Sequence, residues 1–212
     1  MTERYRHRML WSLNKFAFRS MPWEKQFVVD EALAKAEHVF WRQGYEATSM
    51  EHLLQCMGIQ KGSFYATFGS KHEILMAALE RYIQGRRAFA EELLAEPSGL
   101  AALKRHLDGV SMESCGEGRA LGCFIVNVAL ELAPQDAAVR DLVQKALAGQ
   151  EALYAALLEK AKRAGEISGE LDATTTAKTL LSIVLGLRVL ARAGISEETI
   201  RSIRAQAAEF LS

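Results

Sequence analysis

The 212-residue sequence has few of the features that staple a small or secreted protein together. Its three cysteines, Cys56, Cys115 and Cys123, are odd in number and widely spaced. They form no disulfide framework and suit a reducing compartment. Proline is scarce too, at three residues, while half of the chain is apolar, a balance that excludes long disordered stretches. Long hydrophobic runs are missing. The two most apolar segments, LGCFIVNVALELA and LLSIVLGLRVLA, contain Glu131 and Arg188 and are about a dozen residues each, against the roughly 20 that a membrane span needs. Near the N-terminus, RYRHRMLWSLNKFAFR is interrupted by charge too often to be a signal peptide. A soluble, cytoplasmic protein with no membrane partner is expected.

Strand-type alternation and internal repeats are also absent. No nucleophile–base pair, metal-ligand spacing or cofactor loop is found. The glycine-containing GEGRALG segment follows no strand, so it reads as a loop. His106, Cys115 and Cys123 are too scattered to specify a metal. The sequence therefore points away from an enzyme, with no cofactor and no metal.

What the chain does have is helical periodicity. Val29, Leu33, Ala36, Val39 and Phe40 recur every three to four residues over 28–43, an amphipathic helix closed by Gly44-Tyr45. Thr48 and Glu51 make a capping-box pattern at the start of a short helix over about 49–57. Gly58 offers a left-handed turn into a second short helix, 61–68. That helix opens on Lys61, Gly62 and Ser63 and ends in Phe64, Tyr65 and Phe68. Two short helices across a glycine turn form a helix-turn-helix, whose second helix reads the major groove with its N-terminal residues.

Ser70 and Glu73 form a second capping box, opening a helix to about residue 94. Further helices are expected over about 100–112, 121–132, 136–164, 173–192 and 196–211. The fold class is all-α: a three-helix DNA-binding head at 21–75 and a helical regulatory and dimerisation body at 76–212. Charge agrees modestly with this division. Residues 1–71 hold ten Lys/Arg against seven Asp/Glu, and the remainder sixteen against nineteen, giving a basic head on an acidic body.

The order Gly58-Ile59, then KGSFYATFGSK, resembles the DNA-binding domain of the TetR family of bacterial transcriptional regulators. The preceding VVDEALAKAEHVFWRQGYEATSM is similar to that family's first helix and its glycine–aromatic turn. The likeness covers about 50 residues closely, and the helical remainder loosely. It implies a homodimeric repressor on a palindromic double-stranded operator, released by a small-molecule inducer or by an electrophile. It also implies roles for single residues. Tyr65 resembles the family's phosphate-binding tyrosine, and Lys71 the lysine that clamps a phosphate at the next helix start. Thr48 and Ser49 match positions that touch the DNA backbone. On chemistry alone Lys61 suits a guanine edge or a phosphate, Gly62 lets the backbone approach, and Ser63 suits a base or a phosphate.

In the family the last two long helices form a four-helix bundle across the dimer. Ser182 and Gly186, small enough for close approach, fall there, with Ile200, Ile203 and Phe210 on the last helix. Gly122-Cys123 is similar to a glycine–cysteine motif of some branches, among them electrophile-responsive repressors. A helix N-terminus stabilises a thiolate, so Cys123 is a candidate sensor with Cys115 as its resolving partner. A buried structural thiol is the alternative. Asn127 and Glu131, one turn apart, are the polar candidates for lining a ligand pocket. Residues 1–20 mix Arg4, Arg6, Arg8, Lys15 and Arg19 with Tyr5, Trp11, Phe16 and Phe18. They read as a basic arm, an added helix, or a non-native start before Met21. A transcriptional activator, an architectural DNA-binding protein and a cysteine-based redox protein are the alternative functions.

Overall fold

The computed structural model describes residues 28–209 and 211. The basic and aromatic extension, residues 1–20, and Phe210 lie outside the described residues. Every regular element within them is helical: α1 Val29–Gln43, α2 Met50–Met57, α3 Lys61–Phe68, α4 Lys71–Ala95, α5 Gly99–Cys115, α6 Phe124–Leu132, α7 Ala137–Arg163, α8 Ala173–Arg192 and α9 Glu197–Glu209. The segment read as a loop contains a 3-10 helix, Glu117–Leu121, and α6 starts three residues later than its periodicity suggested. The reason is local. Gly122 adopts φ 64°, and a Cβ there would press on the Arg188 carbonyl and the Arg192 side chain at 3.3 Å. The chain must turn before α6 can begin.

Two apolar cores hold these helices. The first joins Ala36 and Phe40 of α1, Leu53 of α2, Phe64 and Phe68 of α3, and Leu75 and Leu79 of α4 to Phe124 and Val128 of α6 and Val139 and Val143 of α7. It runs without interruption from the short helices into the body. The second packs Leu103 and Leu107 of α5 against Tyr154 and Leu157 of α7, Leu180 and Leu187 of α8, and Ile200 of α9. Close packing of α5 on α7 depends on Gly99, where an added Cβ would meet the backbone of Leu157 and Ala161. Of the described helices, α8 is long and apolar enough to cross a bilayer by length and composition. Instead it buries Leu180, Val184 and Leu187 in the second core and pairs the buried Arg188 with Glu113, Nη1 to Oε2 2.5 Å.

Caps define the helix starts. Ser49, Ser70, Ser98, Asp136 and Asp172 each accept a backbone N–H from the first turn that follows, satisfying donors that the helix leaves unpaired. The first capping box is corrected in one respect. Ser49 is the cap of α2, accepting from the His52 N–H at 3.1 Å. Thr48 is fully buried and donates its hydroxyl to the Gly44 carbonyl at 2.6 Å.

Candidate DNA-reading face and regulatory cavity

The turn between α2 and α3 follows from Gly58, at φ 71° and ψ 33°, a left-handed conformation that glycine adopts without penalty. Its N–H bonds the Leu54 carbonyl at 3.0 Å, and the Ile59 N–H bonds the same carbonyl at 3.2 Å. The end of α2 is thereby closed and α3 starts in a new direction. Phe64 and Phe68, one turn apart, are buried in the first core and fix the roll of α3. That roll leaves Lys61, Gly62, Ser63, Tyr65 and Ala66 exposed on the opposite side. Ser49 is exposed at the start of α2, and Gln60, which sequence reading passed over, is exposed immediately before α3.

Lys71 opens α4 with its ammonium 4.2 Å from the centroid of the Tyr45 ring. A cation on an aromatic face is held in place while its outer hydrogens stay available to a phosphate. Lys61, Ser63 and Tyr65, with exposed backbone at Gly62, thus face solvent on α3, while Ser49 and Lys71 stand at the starts of α2 and α4, side-chain types that suit an anionic duplex. Thr48 leaves this set. Its side chain has no exposure and its hydroxyl proton is already committed, so any part it plays is to hold the turn.

A set of polar contacts ties this face to the body. Glu131 accepts the backbone N–H groups of Tyr45 at 3.0 Å and Glu46 at 2.7 Å. Gly44 lets the carboxylate come close: at φ 90°, an added Cβ would lie 2.9 Å from its Oε2. His72 Nε2 meets Asp136 Oδ2 at 2.6 Å. The Leu121 carbonyl collects the Trp41 indole N–H at 3.0 Å, the Asn127 amide at 2.8 Å and an Arg192 guanidinium N–H at 2.8 Å. Asn127 and Glu131 were expected to line a ligand pocket. Both line an outer groove with Gln43 and Arg192, and their polar atoms also link α6 to the 3-10 helix and to the α1–α2 turn.

A second, partly open cavity lies among α4, α5, α6, α7 and α8, with a volume of about 130 Å³. Apolar side chains including Ile83, Val110, Leu153, Leu181 and Val184 make up most of its wall. Beside Cys123, its inner polar groups are Tyr82, Arg86, His106, Gln150 and Arg188, none of which the sequence assigned to a pocket. The Tyr154 hydroxyl and His106 Nε2 share a hydrogen bond at 2.8 Å, and Tyr154 accepts from Gln150 Nε2 at 2.8 Å. Burial, reinforced by Arg86 and Arg188, pushes His106 down to about 4. Tyr82 accepts from the Arg86 guanidinium at 3.2 Å and is pushed up to about 12, chiefly by burial.

Cys123 occupies the N-cap of α6 and borders both the cavity and the outer groove, its sulfur 4.0 Å from the Tyr82 hydroxyl. Cys115 ends α5 and packs on the second core, away from the cavity wall. Tyr82 also stacks edge-on against Trp41 of α1 at 5.1 Å and Phe124 of α6 at 5.7 Å. One aromatic ring therefore touches the cavity and the first helix of the head.

Comparison with known proteins agrees with this arrangement. The sequence profile described as "Bacterial regulatory proteins, tetR family" matches residues 32–78, and that described as "Tetracyclin repressor-like, C-terminal domain" matches 99–207. The HTH-type transcriptional repressor ComR of Escherichia coli is 32% identical over 84% of this chain and 86% of its own. The chain belongs to the TetR family. The uncharacterised HTH-type transcriptional regulator YezE of Bacillus subtilis is 33% identical over 79% of this chain and 88% of its own. Among solved structures, a cysteine mutant of the TetR family regulator CifR, complexed with 26-base-pair operator DNA, superposes with a TM-score of 0.80 at 26% identity. It covers 90% of this chain and 100% of that one. This TetR family chain is a DNA-binding transcriptional repressor.

For the dimer candidates, the structure separates the residues named from sequence. Ser182 is exposed, its hydroxyl donating to the Lys178 carbonyl at 2.9 Å. A Cβ on Gly186 would meet nothing within its own chain, and Val189, on the same face, is exposed. Ile203 is half-buried on the second core. Ile200 is corrected: it is fully buried among residues of its own chain and belongs to the protomer core.

Proposed function

We propose that the repressor acts as a homodimer on a palindromic operator in the cytoplasm and lets go when its cavity is occupied. The observation that carries this reading is the single apolar core joining the buried face of α3 to α4, α6 and α7. The head cannot change its tilt without a response in the cavity wall. One α3 covers only a few base pairs, so two heads related by a two-fold axis are needed to read a site. The outward strip Ser182, Gly186 and Val189 of α8 supplies a low-relief face for that pairing, with Ile203 at its margin. Lys61, Gly62 and Ser63 then address base edges and nearby phosphates. Ser49, Tyr65 and Lys71 hold the backbone. The solved CifR mutant complexes with operator DNA support operator DNA as the partner.

Release follows from differential binding. A ligand that fits the cavity only when Tyr82 turns also displaces Trp41, against which Tyr82 stacks. Coupling of about 1–3 kcal/mol is typical and changes DNA affinity by roughly 5- to 150-fold. A second trigger is favoured by the position of Cys123 between the cavity and the outer groove. Alkylation or oxidation there adds bulk or charge beside Tyr82.

The test is to footprint the protein on DNA from upstream of its own gene and to determine how many protomers bind per site. Protection of two half-sites by two protomers, with most affinity lost on a single half-site, is expected. Thiol alkylation should weaken the wild type and spare Cys123→Ser. One protomer bound with full affinity on a half-site would refute the dimeric reading.

A further inference from the structure

The cavity is lopsided in charge. Arg86 and Arg188 line its interior, and Arg87 and Lys145 line it from exposed positions. No aspartate or glutamate lines it among the described residues. The nearest anion to the inner pair is Glu113, which must serve both: its Oε2 lies 2.5 Å from Arg188 Nη1 and 3.7 Å from Arg86 Nη2. Its side chain is 55% exposed, whereas that of Arg188 is 7% exposed. One half-solvated carboxylate thus answers two guanidiniums, and His106 beside them, lowered to about 4 by burial, is neutral at physiological pH. A buried positive charge without a full counter-ion is costly. Any ligand that brings an anion repays that cost, and one that brings a cation adds to it.

We infer that the cavity takes a small amphipathic organic anion, a carboxylate on a single aromatic ring or a short branched chain. This rests on the release mechanism proposed above, and it names the ligand of that site. Size limits the apolar part, because a cavity of about 150 Å³ holds a benzene ring and this one is about 130 Å³. Ile83, Val110, Leu153, Leu181 and Val184 supply its apolar contacts. The carboxylate meets Arg188 and Arg86, whose planar forks bind such a group bidentately. Tyr82, held protonated by burial, donates a further hydrogen bond. Arg87 and Lys145 draw the anion in.

The consequence for DNA is specific. Arg86 now donates to the Tyr82 hydroxyl through Nε at 3.3 Å and Nη2 at 3.2 Å. A ligand carboxylate competes for the same guanidinium, frees Tyr82, and loosens its stack on Trp41.

The experiment is isothermal titration calorimetry of the full chain with phenylacetate, its neutral isostere 2-phenylacetamide, and benzylamine as a cation on the same ring. Wild type should bind the carboxylate on the order of 30-fold tighter than the amide, with benzylamine weakest. Arg188→Met should cut that preference to within about threefold while amide binding persists, since only the charge-assisted bonds are lost. If Arg188→Met does not fold, Arg86→Gln supplies the same comparison, because the Arg86 side chain is 30% exposed. Amide binding as tight as carboxylate, preference for the amine, or no carboxylate binding at millimolar concentration would overturn the assignment.

Anisotropy on operator DNA separates this failure from failure of the release mechanism. If phenylacetate binds the protein and leaves the DNA complex unchanged, the ligand class stands and release is wrong. If amide and carboxylate dissociate DNA equally, release stands and the ligand class is wrong.

Discussion

His106 should make the stability of this protein pH-sensitive over a window where most carboxylates do not yet titrate. Its imidazole is buried beside Arg86 and Arg188 and is lowered from 6.5 to about 4. Between those two values the unfolded chain binds a proton at this residue and the folded chain does not. Stability therefore rises with pH across the window and is lost as pH falls from about 6.5 toward 4. Integrating a shift of this size gives about 2 kcal/mol lost between pH 7.5 and pH 5, and about 3 kcal/mol in all. The carboxylates contribute their own slope at the acidic end, so the quantity to measure is a difference. Urea unfolding of wild type and His106→Gln at fixed protein concentration should show wild type losing about 2 kcal/mol more than the variant from pH 7.5 to 5. Parallel stability curves for the two proteins would refute the reasoning, because they would mean that the ring takes its proton in the folded state as readily as in the unfolded one.

Other perturbations probe the remaining links. Tyr65→Phe and Lys71→Ala should weaken binding to all DNA sequences alike and Lys71→Ala should flatten the salt dependence by about one unit of slope, whereas Ser63→Ala should change sequence preference; equal losses on operator and scrambled DNA for Ser63→Ala would contradict its role. Glu131→Ala removes the acceptor for the Tyr45 and Glu46 N–H groups and should cost about 2 kcal/mol in chemical denaturation; an unchanged midpoint would mean that water replaces the carboxylate at no cost. Gly99→Ala should cost about 2–3 kcal/mol, because the new Cβ meets backbone of α7 that cannot step aside. A thermal unfolding midpoint within a degree of wild type would show that α5 and α7 separate freely.

The sequence announces the head more fully than the body, for a physical reason. In KGSFYATFGSK, local chemistry and tertiary role coincide: Gly58 must turn, Phe64 and Phe68 must bury, and the residues between are left to face outward. The helices of the body were equally legible from apolar spacing, but what they enclose was not. Arg188 stood out only as a charge that interrupts an apolar run. Its partner Glu113 is 75 residues away, and no local pattern joins them. Glu131 gave the same difficulty in reverse. A carboxylate in an apolar helix suggested a pocket; Glu131 borders the outer groove, but its oxygens also hold two backbone N–H groups 85 and 86 residues earlier, which no local pattern announced. Thr48 and Ser49 differ by one position, and spacing alone could not say which hydroxyl turns inward. The three-helix arrangement decides it by placing Thr48 over the Gly44 carbonyl. Ile200 and Ile203 both read as apolar face; only the packing of α9 shows that Ile200 belongs wholly to its own chain.

The central claim is that the exposed face of α3 reads a particular DNA sequence. It is tested most directly by fluorescence anisotropy of the protein on DNA from upstream of its own gene and on a scrambled duplex, at two salt concentrations. A preference for the native duplex of roughly a thousandfold or more is predicted. Absence of binding to either duplex, even at low salt where lysine and arginine contacts to phosphate are strongest, would contradict it.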